Sequence, residues 1–128
     1  ERVMDYTAVP GAIFTMPEVA CVGLTEAQAK DRGLDARADT VLFRTLGKAQ
    51  VIGELAGQAT IISDAGSGKV LGVHIIGPHA TDLLGEGTLA VSNNLCVADI
   101  ADTIHAHPTL AEIMLEAALK GTGKALHG

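Results

Sequence analysis

The apolar positions change period part-way along the chain. Up to about residue 76 they fall in short runs rich in β-branched residues, separated by glycine, proline or helix-capping signals. From about residue 80 they recur at helical spacing. Ala12–Thr15 is a short extended run, broken by Met16-Pro17 and resumed as a strand over Val19–Leu24. A proline there suits a strand edge or start. Thr25-Glu26-Ala27-Gln28 has the form of a capping box, opening a short helix to about Arg32 that Gly33 stops. Ala38–Arg44 reads as a strand, Leu46-Gly47-Lys48-Ala49 as a bend, and Gln50–Leu55 as its continuation. Gln58–Ser63 and Val70–Ile76 are the arms of an antiparallel hairpin turning at Asp64–Lys69 and closed by Gly77-Pro78.

The helical pattern opens near Ala80. Leu83, Leu84, Leu89, Ala90 and Val91 fall close to one face, with Glu86 to one side. Gly85 and Gly87 inside this helix each cost about 1 kcal/mol relative to alanine, which predicts that another backbone or helix approaches closely there. Val97–Ile104 holds a short helix after a turn at Asn93-Asn94. A last helix runs to about Lys120, with Ile113, Met114, Ala117 and Ala118 as its buried stripe, and Gly121-Thr122-Gly123 ends it. Segregated strands and helices predict an α+β fold, an antiparallel β-sheet with helices packed on it. The expected organisation is a linker or entering arm over 1–11, one domain over 12–120 and a flexible tail over 121–128.

Composition narrows the function. The 128 residues suit one domain, and 48% are apolar. With Tyr6, Phe14 and Phe43 as the only aromatics, the core must be aliphatic, and the apolar surplus leaves room for a surface that meets a partner. A net charge of −6 argues against nucleic-acid binding. No apolar run reaches the length of a membrane span and no signal peptide is read, so a cytoplasmic location is expected. The chain opens Glu1-Arg2-Val3 without an initiator methionine and is expected to be a piece of something longer. Cys21 and Cys96 are isolated in sequence and are expected to be buried, inert thiols.

Candidate chemistry concentrates in His105-Ala106-His107-Pro108-Thr109-Leu110-Ala111-Glu112. Thr109 is a good helix N-cap, and Glu112 three residues on completes a capping box. His107 is then held just outside a helix N-terminus, where the helix dipole favours the neutral ring that a general base needs. From the residues alone, a capped turn with no catalytic role is the favoured reading. Other chemistry is weaker. Gly-Ser-Gly-Lys at 66–69 lies between two strands, whereas a phosphate loop must open a helix, and no GxGxxG is present. His74, His79, His105 and His107 lack the further ligands a metal needs, although His105-x-His107 would set both rings on one side of a strand.

Four stretches in order carry a resemblance. Phe14-Thr15-Met16-Pro17-Glu18-Val19-Ala20 with Val22-Gly23-Leu24-Thr25-Glu26, then Leu46-Gly47-Lys48-Ala49, then Lys69–Gly77, then His105–Glu112 resemble the C-terminal dimerisation domain of the pyridine nucleotide-disulfide oxidoreductases. The resemblance covers about residues 9 to 120. Leu110 after His-Pro-Thr is typical of the dihydrolipoamide dehydrogenase branch, ahead of the glutathione- and mercuric-reductase-like branches. The resemblance implies that His107 is an acid-base group exchanging protons with a dithiol and an active-site cysteine. It implies that Glu112 holds the imidazole, and that His107 and the backbone of Pro108, a proline that tends to be cis in the family, lie near the flavin of a partner subunit. It further implies a homodimer using FAD and NAD, a lipoyl domain of a multienzyme complex as partner, and no activity in this domain alone. A stand-alone interaction domain with a purely structural histidine is the alternative from another class.

Overall fold

The computed structural model describes residues 6–123. Five strands form one antiparallel sheet in the order β1-β2-β5-β4-β3: β1 Gly11–Ile13, β2 Glu18–Gly23, β3 Ala36–Leu42, β4 Gln58–Asp64 and β5 Val70–Gly77. Five helices accompany it: α1 Glu26–Asp31, α2 Gly47–Ile52, α3 Ala80–Ser92, α4 Val97–Ala101 and α5 Glu112–Gly121. This is the α+β architecture expected from the segregated pattern. Residues 1–5 and 124–128, the outer parts of the expected arm and tail, lie outside the described residues. Within 6–11, Tyr6–Ala8 forms a single 3-10 turn, Ala8 is buried and β1 starts at Gly11.

Strand alternation sorts the sheet into two faces. Ala20, Ile75, Ala59 and Val41 stand opposite one another across four strands and are all buried, as are Val22, Val73 and Ile61 in the next row. That face carries α3 over β2 and β5, and α5 over β3 and β4. Between them sits a core that is aliphatic except for the fully buried Phe43, a departure from the all-aliphatic core expected, and it is closed by Ile113, Met114, Ala117 and Ala118 of α5, the predicted stripe. On the opposite face, Ala29 of α1 covers Leu24 and Ile62. Cys21, His74, Thr60 and Thr40 cross the rest of it as a less buried polar row.

Local chemistry explains the start of α1 and the β4–β5 turn. The Thr25 hydroxyl accepts from the Gln28 amide and the Gln28 side chain accepts from the Thr25 amide, so the capping box of α1 is complete. In the β4–β5 turn, one Asp64 carboxylate oxygen accepts from the amides of Gly66 and Ser67, both at 2.9 Å. Those bonds hold the Asp64 carboxyl below its ordinary range. The Met16–Pro17 bond is cis, and the strand before it, β1, is an edge strand.

Several expectations require correction. The stretch from Gln50 is not a strand: α2 occupies Gly47–Ile52 and ends at Gly53 in the left-handed region. The β-branched pair Val51-Ile52 suggested a strand, yet both are exposed, while Leu46 and Ala49, three apart, are buried as a helical turn requires. The preceding strand lies two residues earlier than expected, because Phe43–Thr45 already turns in a 3-10 helix. The helix from Val97 ends at Ala101 instead of Ile104. Leu89 is exposed, so the buried stripe of α3 is Ala80, Leu84, Gly87, Ala90 and Val91. Gly87 belongs in that stripe because a Cβ there would stand 2.9 Å from the Cβ of Val73 on β5; at Gly85 nothing lies within 4 Å. The close approach is therefore to the sheet, and to one glycine only. Both cysteines are less hidden than expected: Cys21 points away from the core and is exposed, and Cys96 is half-buried ahead of α4, its thiol near the Ser67 carbonyl.

Candidate functional site

The loop from Asp102 to Ala111 joins α4 to α5 and carries the histidine segment. His107 is 70% exposed in its side chain, and its Nδ1 lies 3.0 and 2.9 Å from the two carboxylate oxygens of Glu112. Glu112 opens α5 and has only 15% of its side chain exposed. A carboxylate accepts, so Nδ1 carries the hydrogen and the neutral ring keeps its lone pair on Nε2, which has no partner among the described residues. The ring is thus backed by a carboxylate and presents its basic nitrogen outward. The His107–Pro108 peptide bond is cis.

The two roles considered for Glu112 do not compete. Besides taking the imidazole N–H, its Oε1 accepts from the Thr109 amide at 2.8 Å. The other half of the expected capping box fails. The Thr109 hydroxyl donates to the Ala106 carbonyl at 2.7 Å instead of receiving an amide, and α5 starts after Ala111 with no side-chain cap. A tight turn through Leu110 and Ala111 intervenes, with Ile113 and Met114 bonding back three residues to their carbonyls.

His105 goes elsewhere. The segment is not a strand, and the two rings do not share a site. The His105 side chain is only 6% exposed, its Nε2 lies 2.7 Å from Glu86 Oε2 on α3, and its Nδ1 lies 2.8 Å from the Thr103 carbonyl. Sequence reasoning assigned Glu86 to the flank of α3 and gave it no partner; the nineteen-residue separation leaves no local periodicity to find it by. The other histidines among the described residues are dispersed. His74 Nε2 donates to the Leu24 carbonyl at 2.9 Å on the open sheet face, and His79, exposed, begins α3 in the left-handed region beside Asp82. Among the described residues no group of three His, Cys, Asp or Glu side chains converges as a metal site would require.

A hydrophobic tip lies at the other end of β1, where Ile13, Phe14 and Met16 are exposed. Behind it Glu18 ties β2 to α3, accepting from the Thr81 hydroxyl at 2.7 Å and the Thr81 amide at 3.1 Å. These two bonds, the hydroxyl first, hold the Glu18 carboxyl below its ordinary value. No helix of the described residues is long and apolar enough to cross a membrane.

Residues 9–118 match the family described as pyridine nucleotide-disulphide oxidoreductase, dimerisation domain. The chain belongs to this family. Among curated relatives, dihydrolipoyl dehydrogenase of Chlamydia muridarum is 48% identical over 97% of this chain and 27% of its own length. The Bacillus subtilis dihydrolipoyl dehydrogenase is 44% identical over 97% of this chain and 26% of its own. The chain thus spans about a quarter of the length of the curated relatives it matches. The crystal structure of LpdA from Mycobacterium tuberculosis superimposes with a TM-score of 0.86 at 27% identity, covering 91% of this chain and 26% of that one. A flavoprotein disulfide reductase, RclA of Escherichia coli, matches at TM-score 0.78 and 24% identity, a likeness of fold. The dimerisation-domain family accounts for the order of the four stretches and for the sheet-plus-helix architecture that carries them.

Proposed function

We propose that this chain is the dimerisation domain of a homodimeric dihydrolipoyl dehydrogenase, in which His107 is the acid-base group and Glu112 the residue that orients it. The observation that carries the reading is the exposed imidazole held by a sheltered carboxylate at Nδ1, with Nε2 left open. In this reading His107 Nε2 takes a proton from a dihydrolipoyl thiol, leaving a thiolate, the nucleophilic form of sulfur. The imidazolium so formed keeps its Nδ1–H on Glu112, whose negative charge stabilises it, and can return the proton from Nε2.

The overall reaction would be dihydrolipoyl dithiol plus NAD giving lipoyl disulfide, NADH and a proton. FAD, when bound, supplies the two-electron relay between sulfur and NAD. The residues of this chain that fit against it are His107 and Pro108, both exposed on the loop ahead of α5 and so free to face a second copy. That placement suits donation in trans. The relatives' length leaves room for the nucleotide-binding and redox-disulfide parts that this chain does not supply. On its own the domain is proposed to be inactive. A lipoyl domain of a 2-oxoacid dehydrogenase complex or glycine cleavage system is the proposed partner, and the cytoplasm the proposed location.

The test is steady-state turnover of the full-length holoenzyme with dihydrolipoamide as substrate. His107→Gln is expected to lower turnover by about 10²–10⁴-fold, the range of a lost general acid-base. Wild-type turnover in that variant would remove the assignment.

A further inference from the structure

The acid-base reading leaves a second histidine of the same loop without a task, and that histidine is the more deeply held of the two. His105 has both ring nitrogens engaged, by the Thr103 carbonyl at 2.8 Å and by Glu86 Oε2 at 2.7 Å, with its side chain 6% exposed. A carbonyl only accepts, so Nδ1 carries a hydrogen. The short Nε2–carboxyl contact holds one further proton, whichever of the two atoms carries it. The result is a short hydrogen bond between the loop and α3. Buried polar groups engaged at every polar atom specify one arrangement of the chain around them.

Glu86 sits on a closely packed stretch of α3. It precedes Gly87, whose missing side chain lets α3 seat directly on Val73 of β5. The tie therefore runs from the sheet through α3 and Glu86 to His105. Only Ala106 separates His105 from His107, so their Cα atoms can be no more than about 7 Å apart. Downstream, Glu112 holds the His107 ring from the start of α5. The exposed imidazole is thus bracketed by two carboxylates on two helices: one fixes its backbone through a neighbour, the other fixes its ring.

Resting on the acid-base reading of His107, we propose that His105 and Glu86 form a positioning pair that sets where the His107 imidazole is presented, and that neither touches substrate. Loss of the pair lets the loop shift. Misplacement of a reacting group by about 1 Å can lower a rate by up to about a hundredfold, and a partial shift is expected to lower kcat about tenfold.

The test uses the full-length holoenzyme, with dihydrolipoamide and NAD as substrates and FAD content and sedimentation as controls. His105→Ala and Glu86→Ala are each expected to lower kcat about tenfold with KM for dihydrolipoamide unchanged. Glu86→Gln keeps a hydrogen-bonding partner for Nε2 and is expected to stay within about twofold of wild type. The deciding measurement is His105→Ala made in the His107→Gln background. A pair acting through His107 has nothing left to lose there, so turnover should not fall further. A further loss of the same size in that background would overturn the proposal and make the pair structural only, as would unchanged kcat in both alanine variants while His107→Gln is slow. If His107→Gln itself retains wild-type turnover, the acid-base reading fails first and the positioning proposal with it. Should His105→Ala not accumulate as folded protein, Glu86→Ala against Glu86→Gln in the same two backgrounds makes the same comparison.

Discussion

Glu112 receives the His107 Nδ1–H on both carboxylate oxygens, at 3.0 and 2.9 Å, while one of those oxygens also takes the Thr109 amide at 2.8 Å. One side chain therefore orders both the ring and the turn that leads into α5. Glu112→Ala breaks both functions. Turnover of the full-length enzyme is expected to fall by about 10–100-fold through misorientation of the ring. Glu112→Gln, which keeps a carbonyl oxygen for the Nδ1–H, should lose less. Equal losses in the two variants, measured as kcat at fixed pH, would mean that the charge matters and the orientation does not.

The two glycines of α3 should answer oppositely to alanine. At Gly87 a methyl group would press on Val73 at 2.9–3.0 Å, and overpacking of this kind costs about 1–3 kcal/mol. At Gly85 nothing lies within 4 Å, and alanine there should stabilise the helix by about 0.5–1 kcal/mol. Urea midpoints of the two variants check the signs. A stabilising Gly87→Ala would contradict the seating of α3 on β5.

Acid sensitivity follows from Glu18. Its carboxyl is held below its ordinary value of 4.5 by the Thr81 hydroxyl and amide. A carboxyl with a lowered folded value binds fewer protons folded than unfolded in the interval between the two. Its contribution is therefore complete above the unfolded value and disappears as pH falls through the folded one. Asp64, lowered from 3.8 by the Ser67 and Gly66 amides, adds a term of the same sign. Unfolding free energy should thus decline with acid below about pH 5. Thr81→Val, which removes the hydroxyl but not the amide, should flatten that decline. An unchanged slope between about pH 5 and pH 2 would show that the Thr81–Glu18 bond is not formed in solution.

Thr25 closes its capping box with Gln28 on a helix of six residues. Replacing it by alanine should destabilise by about 1 kcal/mol, seen first as faster hydrogen exchange at the amides of α1 and the Leu24–Ile62 contact beneath it.

How much of this was legible in the sequence depended on how local the cause was. The Thr25 box, the Asp64–Lys69 turn and the α5 stripe rest on contacts a few residues apart and were readable. The α2 segment reads as strand because Val51 and Ile52 carry strand preference, while the helix is held by the burial of Leu46 and Ala49, a tertiary fact. The spacing of Leu89 suits the apolar face of α3, yet Gly87, with no side chain to count, takes the buried place. At the candidate site, His107 and Glu112 are five apart and were read together, although Thr109 was given a capping role that a tight turn prevents. Glu86 and His105 meet only because α3 folds back across β5 and the loop passes over it, a juxtaposition with no trace in spacing.

Met16 is fully exposed and Phe14 is 77% exposed at the tip beyond β1. A single copy carries this greasy end in water. Raised concentration would therefore be expected to show at this end first, as clumping of chains.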